Sequence, residues 1–212
     1  ASDVYKRQLQ TYAYLNQGDA AAGRLALARL AKCLDPRRRI DVGHHHYLAC
    51  LAALLADDGA QAVRHGHTTN AIATQYGGPQ QHALGRLLYA QALHAAGRTA
   101  EAWPLLAEGR EIGVAMRSGI LCFQADLCEA LLALDTGDDE RCVSALRSAF
   151  SIGAAHGYLN HNSFRPSVMA RLCAVALARQ IEPDYVRCLI RRRGLRAPGV
   201  DLDCWPWPVR IY

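Results

Sequence analysis

Two short histidine runs are the residues in this chain whose types are best suited to chemistry. His44-His45-His46 and His65-Gly66-His67 fall on consecutive predicted helices, and imidazole is both a proton carrier near neutral pH and a common metal ligand. A metal site needs three or four converging ligands with supporting groups behind them. Consecutive histidines on a helix project about 100° apart, and no carboxylate follows the triplet at the third or fourth position. We therefore predict no metal site.

Eight cysteines offer a second chemistry, and their spacing argues against it. None forms a C-x-x-C pair, and Cys122 and Cys128 fall on poorly aligned faces of one predicted helix. Without a secretory segment, the cysteines are expected to be reduced, cytosolic fillers of small core positions. The chain also lacks G-x-S-x-G, H-E-x-x-H and phosphate-binding glycine loops. We predict that it is not an enzyme and has no catalytic or cofactor-binding residues.

A glycine ladder indicates which elements carry these residues. Gly18, Gly59, Gly97 and Gly137 recur at intervals of 41, 38 and 40 residues, each between two apolar-periodic stretches. A period of this length is typical of helical-repeat arrays. Small residues accompany the ladder, seven positions before the last three glycines (Ala52, Ala90, Ala130) and five after the first, third and fourth (Gly23, Ala102, Cys142). Arg64 holds that second position in the other repeat, and the interval of 38 residues there suggests a shortened turn.

The fold class that follows is all-α. We predict an α-α superhelix, a tetratricopeptide-like solenoid of about ten antiparallel helices with a repeat near 40 residues. Half of the residues are apolar and only 7% are aromatic, and no apolar run approaches the ~20 residues of a membrane span. The predicted helices cover 9–17, 20–34, 42–56, 60–76, 80–96, 99–117, 120–134, 139–156, 163–179 and 183–193.

The window 97–102, Gly-Arg-Thr-Ala-Glu-Ala, resembles the glycine-to-alanine turn of tetratricopeptide repeats. In that family the first helix of each pair lines a concave groove. The resemblance implies that a small-molecule, peptide or protein inducer binds a groove wall, beside apolar Leu87, Leu127 and Leu131. That wall would consist of His46, Gln91, His94 and Gln124. The same side chains could equally be ordinary solvated positions or contacts between repeats, and this alternative stays open.

The ends of the chain differ from its middle. Residues 1–8 match a peptide encoded by one reading frame of a common transposon-based sequencing adapter, and we interpret them as an artefact of library construction. A helical-repeat domain is then expected over 9–195, followed by a turn-rich linker over 196–208. The alternating residues 209–212 are interpreted as the start of a strand that belongs to a missing domain.

The C-terminal segment resembles the junction region of MalT-type bacterial transcriptional regulators. The resemblance covers 164–212 and rests on Phe164-Arg165-Pro166, on the run 189–195 (LIRRRGL) and on the run 205–212 (WPWPVRIY). It implies that this chain is a sensor domain cut just before an OmpR/PhoB-type winged helix. It also implies that DNA is bound only through that absent domain and that ATP is bound by a missing upstream module. No cofactor is expected within the chain itself.

Charge is concentrated at the same end. Residues 1–159 sum to zero, whereas 160–212 hold nine arginines and four acidic residues, which supply the whole net charge of +5. One interpretation is that five of these arginines contact DNA phosphates close to the absent domain. Those five are Arg187, Arg191, Arg192, Arg193 and Arg196. The alternative is a solvated terminal helix whose arginines interact favourably with the helix dipole.

Two functions from different classes remain. In the first, the chain is the non-catalytic sensor of a bacterial transcriptional regulator, cytoplasmic, independent of membranes, and able to form a homo-oligomer on activation. In the second, it is a generic protein–protein interaction scaffold of tetratricopeptide type in another multidomain protein.

Overall fold

The computed structural model describes residues 2–199 and 204–206, and within that part of the chain the only regular secondary structure is helical. This confirms the all-α helical-repeat prediction. The helices are α1 (Ser2–Asn16), α2 (Ala20–Ala31), α3 (Arg39–Leu55), α4 (Gly59–Tyr76), α5 (Pro79–Ala95), α6 (Thr99–Ala115), α7 (Gly119–Thr136), α8 (Asp139–His156), α9 (Pro166–Ala178) and α10 (Pro183–Arg193). They form two compact units, Ala1–Ala125 and Asp126–Tyr212.

Three of the four predicted turn glycines have the left-handed backbone that a turn between paired helices favours. Gly18, Gly97 and Gly137 have φ angles of 82°, 76° and 75°, which glycine adopts without the steric cost of a Cβ. In the second repeat the left-handed residue is Asp57, with a φ of 55°, and Gly59 is the first residue of α4. The prediction for this turn was therefore wrong by two positions, and the turn is not shortened.

The same hydrogen bonds close each of these turns. The residue after the left-handed position donates its N–H to a carbonyl in the last turn of the preceding helix, as Asp58 does to Ala53 at 3.0 Å and Asp138 to Ala133 at 2.9 Å. This is the bond of a Schellman cap. The Asp58 carboxylate then accepts from the N–H of Gln61 at 3.0 Å and so caps the next helix.

With Asp57 as the turn residue, the small positions of the second repeat match those of the others. Ala62 lies five residues after Asp57 and is fully buried, whereas Arg64 is exposed. Cys50 lies seven residues before Asp57, and its thiol donates to the carbonyl of Ala62 at 3.3 Å. Paired helices therefore approach closely at the same level in this repeat as at Ala90 and Ala102.

Gly59 has a separate reason for its small size. A Cβ at this position would lie 2.8 Å from the carbonyl oxygen of Ala95, which is backbone and cannot move aside like a side chain. The start of α4 therefore touches the end of α5. Further along the same two helices, a Cβ added at Gly66 would lie 3.0 Å from the ring of Tyr89.

Leucine and alanine fill the core of the first unit. Leu15, Leu27 and Leu30 of α1 and α2 pack with Leu48 and Leu51 of α3. The α3–α4–α5 contact forms a second cluster that includes Tyr47, Cys50, Leu88 and Ala92. In the second unit, the rings of Phe150 on α8 and Tyr185 on α10 lie 5.7 Å apart.

The helix ends were predicted less well than the helices themselves. α9 begins at Pro166 rather than at 163, because proline suits the first position of a helix, where no N–H is needed. α1 begins at Ser2, so the described residues of the 1–8 segment continue this helix, and Gln8 is buried. The predicted strand at 209–212 lies outside the described residues.

Asp57 provides a direct test of the turn assignment. We expect Asp57→Gly to raise the free energy of unfolding by about 0.5–1 kcal/mol, since it removes the steric cost of a Cβ in left-handed backbone. Asp57→Ala keeps that cost and should be less stable than Asp57→Gly by about 1 kcal/mol. Urea denaturation followed by far-UV circular dichroism measures both. A more stable alanine variant would contradict the assignment.

Candidate functional site: the histidine pair and the arginine-rich helix end

His46 of α3 and His65 of α4 meet across the interface between their two helices. Their Nδ1 atoms lie 2.8 Å apart, and the ring centroids are separated by 5.1 Å with planes tilted by 34°. Two ring nitrogens at this distance form a hydrogen bond only if one carries a proton and the other presents its lone pair. The pair therefore holds a single proton between its two Nδ1 atoms.

The surroundings of the pair favour its neutral state. Burial, followed by the positive charge of Arg64, lowers the pKa of His46. Burial also lowers the pKa of His65, to about 4, and His46, Arg64 and His45 act in the same direction. Both imidazoles are half-buried and uncharged near pH 7, so the accepting Nδ1 keeps the lone pair that the shared proton requires.

His45 lies beside this pair, with its ring edge-on to that of His46 at 5.5 Å between centroids, whereas His44 and His67 contact tyrosines instead. The ring of His44 meets the ring of Tyr47 edge-on at 6.4 Å, and the ring of His67 meets Tyr89 edge-on at 5.9 Å. Among the described residues, no group of three or more histidine, cysteine or acidic side chains is arranged to hold a metal ion. The pair formed by His46 and His65 can therefore do two things: exchange a proton, or break the contact between α3 and α4 when its protonation changes.

Positions equivalent to His46 in later repeats also contact the second helix of their own pair. His46 lies eleven residues before Asp57, as Arg86 does before Gly97. Arg86 donates to Glu108 of α6 at 2.6 Å. In the second unit, the hydroxyl of Ser148 donates to Asp126 at 2.5 Å. The position therefore carries a polar contact between paired helices, with different chemistry each time.

The predicted groove residues are placed differently from one another. Gln91 and Gln124 are buried, at 5% and 1% exposure, and Gln91 donates to the carbonyl of Leu87 at 3.3 Å. His94 lies at the end of α5 with its Nδ1 2.9 Å from the Thr99 hydroxyl. His46 faces α4. These contacts hold helices and turns together, and only His46 and His94 are partly accessible to solvent.

Apolar neighbours of the predicted groove are interior as well. Leu87 in the first unit and Leu127 and Leu131 in the second are all at least 96% buried. Gln124 interacts with another interior group, Tyr47. Burial raises the pKa of Tyr47, and the hydrogen bond with Gln124 acts in the opposite direction. The faces of the first helices that the sequence predicted to line a groove thus belong largely to the packed core.

The arginines at the end of α10 divide into two sets. Arg191, Arg192 and Arg196 are exposed, and Arg187 forms an exposed ion pair with Asp184 at 3.3 Å. Arg193 instead lies over the ring of Phe164, with its guanidinium carbon 4.0 Å from the ring centroid. Phe164 is itself 1% exposed. Arg193 therefore fixes the helix end, while the others remain available to an anionic partner.

His161 lies beside this contact and is buried. Its ring centroid is 5.5 Å from that of Phe164. Burial, followed by the charges of Arg165 and Arg193, lowers its pKa to about 3. This histidine is therefore neutral at physiological pH and packs against the ring of Phe164.

The cysteines follow the core prediction only in part. All eight are free, and Cys50, Cys128, Cys142 and Cys173 are buried as expected. Cys33 and Cys188 are exposed, and the remaining two are intermediate. Burial raises the pKa of Cys173 to about 12, so this thiol is unreactive in the folded protein.

Sequence reasoning missed His65 as the partner of His46. Paired antiparallel helices bring together residues at similar distances on either side of the turn, and His65 lies eight residues after Asp57. Counting from Gly59 instead hid this correspondence. The two histidines are evident in the sequence, and their pairing could have been predicted if the turn had been placed at Asp57.

Comparison with known proteins adds no assignment. No protein-family model matches the chain, and no curated protein matches it. None of the helices described has both the length and the apolar character that a membrane crossing requires.

Proposed function

We propose that this chain is the non-catalytic sensor region of a bacterial transcriptional regulator of the MalT type. In this role it couples the binding of a small-molecule, peptide or protein inducer to DNA binding by an adjacent domain. The observation that carries the proposal is the end of α10. Arg191 and Arg192 are exposed there, Arg196 is exposed just beyond the helix, and Arg193 lies over the ring of buried Phe164. A fixed, cationic helix end is suited to lie against phosphates next to a DNA-reading domain.

The resemblance of 164–212 to the junction region of such regulators supports the same role. The proposal includes a cytoplasmic location, ATP bound by an upstream module, DNA recognised by a downstream winged helix, and homo-oligomer formation on activation. Within each unit, the repeats supply paired helices that contact mainly their neighbours, and such an array can transmit an inducer's effect from one helix pair to the next.

A second candidate is a protein–protein interaction scaffold of tetratricopeptide type. Exposed apolar side chains on the second helices of the pairs favour it. Leu25 on α2 is 64% exposed and Val114 on α6 is 61% exposed. Isolated exposed residues of this kind are common, so this candidate rests on less than the first.

Titration with two short DNA duplexes of unrelated sequence, followed by fluorescence anisotropy, tests the first proposal. We expect weak binding that is equal for the two duplexes. Its log K should fall with log salt at a slope of about −4, if Arg187, Arg191, Arg192 and Arg196 each neutralise one phosphate. Replacing Arg191 and Arg192 together with alanine should reduce the slope to about −2.

The matched control replaces two exposed arginines of α2, Arg24 and Arg29, with alanine. It removes the same charge from a different helix and should leave the slope unchanged. Discrimination between the duplexes that persists at high salt would mean that the repeats read bases themselves. Equal losses in both double variants would show that net charge alone, rather than the end of α10, causes binding.

A further inference from the structure

The contact between His46 and His65 joins α3 to α4 through one proton. The 2.8 Å separation of the Nδ1 atoms is that of a good hydrogen bond, and a proton on the accepting Nδ1 would turn it into a contact between two donors. We propose that this pair is a proton-sensitive latch, which holds α3 against α4 at neutral pH and opens when acidification protonates the accepting ring as well as the donor ring. The ligand of this proposed site is therefore the proton itself.

The groups on the same two helices make a second proton costly. Arg64 on α4 and His45 on α3 act on the pair, and both are positive or become positive when protonated. Asp41, at the start of α3, acts on His44, and it forms an ion pair with Arg38 at 2.7 Å. The carboxylate nearest in sequence is thus already engaged.

The helices packed against α3 and α4 present mainly uncharged groups. From α5, Tyr89 meets the ring of His67. From α1, Gln8 donates to Asp41 at 3.4 Å, and Tyr12 acts on Tyr47. The contact of α2 with α3 consists of leucines such as Leu27 and Leu30. The charge that faces the pair therefore comes from its own two helices.

The direction of the pH effect follows from proton uptake. Folding lowers the pKa of His65 from 6.5 to about 4, so between these values the unfolded chain binds more protons than the folded one. The stabilisation from the pair is fully present above pH 6.5 and is lost as the pH falls toward 4. The pKa of His46 is also lowered on folding, so both residues make the folded state less stable as the pH falls.

Opening of the latch should affect the neighbouring repeat. The next residue after His65, Gly66, packs against Tyr89 of α5 at a distance that leaves no free space. A movement of α4 away from α3 therefore changes the α4–α5 contact directly. In a repeat array, where stability depends on contacts between neighbours, a local proton effect becomes a change in several helices.

The test compares thermal unfolding of the chain with that of His65→Asn at pH 7.0 and pH 4.5. Asparagine retains a donor and an acceptor near the position of Nδ1 but does not titrate in this range. We expect acidification to increase the unfolding equilibrium constant of the unmodified chain at least about tenfold more than that of the variant. His161 titrates in both proteins, so its contribution cancels.

His67→Asn is the matched control, since it removes an exposed histidine from the same helix and should keep the full pH dependence. Equal pH dependence of the unmodified chain and His65→Asn would overturn the proposal. A second measurement does not depend on whether any variant folds. Imidazole resonances of the unmodified chain should titrate with a pKa for His65 well below 6.5, and a pKa at or above 6.5 would also overturn it.

Discussion

Phe164→Ala is expected to lower the free energy of unfolding of the unit Asp126–Tyr212 by about 3–5 kcal/mol, the cost of removing a fully buried aromatic side chain. Phe164 is 1% exposed and contacts both the ring of His161 and the guanidinium of Arg193. Its loss leaves a cavity and frees the end of α10. Urea denaturation of the variant, followed by far-UV circular dichroism, measures the change.

A double-mutant cycle separates packing from the cation–π contact. Arg193→Ala alone removes the guanidinium and should cost less than Phe164→Ala, while the coupling energy between the two should be about 0.5–2 kcal/mol. Arg192→Ala is the control, because this neighbouring arginine is exposed. A coupling energy near zero would mean that Arg193 does not fix the helix end, and it would weaken the proposed role of that end in DNA contact.

Ala62→Leu is expected to destabilise the first unit by about 1–3 kcal/mol through overpacking. Ala62 is fully buried where α3 and α4 approach most closely, with its carbonyl 3.3 Å from the thiol of Cys50. A leucine there has no room without a shift of α4. The midpoint of urea denaturation should fall, with little change in far-UV circular dichroism before the transition.

Arg64→Leu is the control, and it also decides between two alignments of the second repeat. The sequence alone placed Arg64 at the small position, whereas the structure places it on the exposed face of α4. We expect this variant to change stability by no more than about 0.5 kcal/mol. A larger loss from Arg64→Leu than from Ala62→Leu would show that the repeats are aligned as the glycine ladder first indicated.

Local signals predicted most of the fold, and the failures have a local cause too. The bounds of α8 and α10 were predicted to the residue, because Asp138 caps one helix and proline starts the other. The second turn was misplaced because aspartate, which tolerates left-handed backbone better than most residues, stands there in place of glycine. A nearby glycine that serves packing was mistaken for the turn residue.

The candidate site was less predictable, because it depends on which side chains meet across helices. The proximity of His46 and His65 follows from the alignment of the second pair, and an error of two residues was enough to hide it. The burial of Gln91 and Gln124 depends on how closely the helices pack, which periodicity does not report. The accessible arginines of α10 could be identified from composition, but the stacking of Arg193 on Phe164 could not.

The contact between Gly59 and the carbonyl of Ala95 has a consequence for engineering and for evolution by duplication. The positions that correspond to Gly59 in the other repeats are Ala20, Thr99 and Asp139, and each of these has a Cβ. A copy of any of those units inserted in place of the second would bring a Cβ within 2.8 Å of that oxygen. Despite a nearly constant period, the units are not interchangeable, and a shuffled array would need a glycine restored at this single junction.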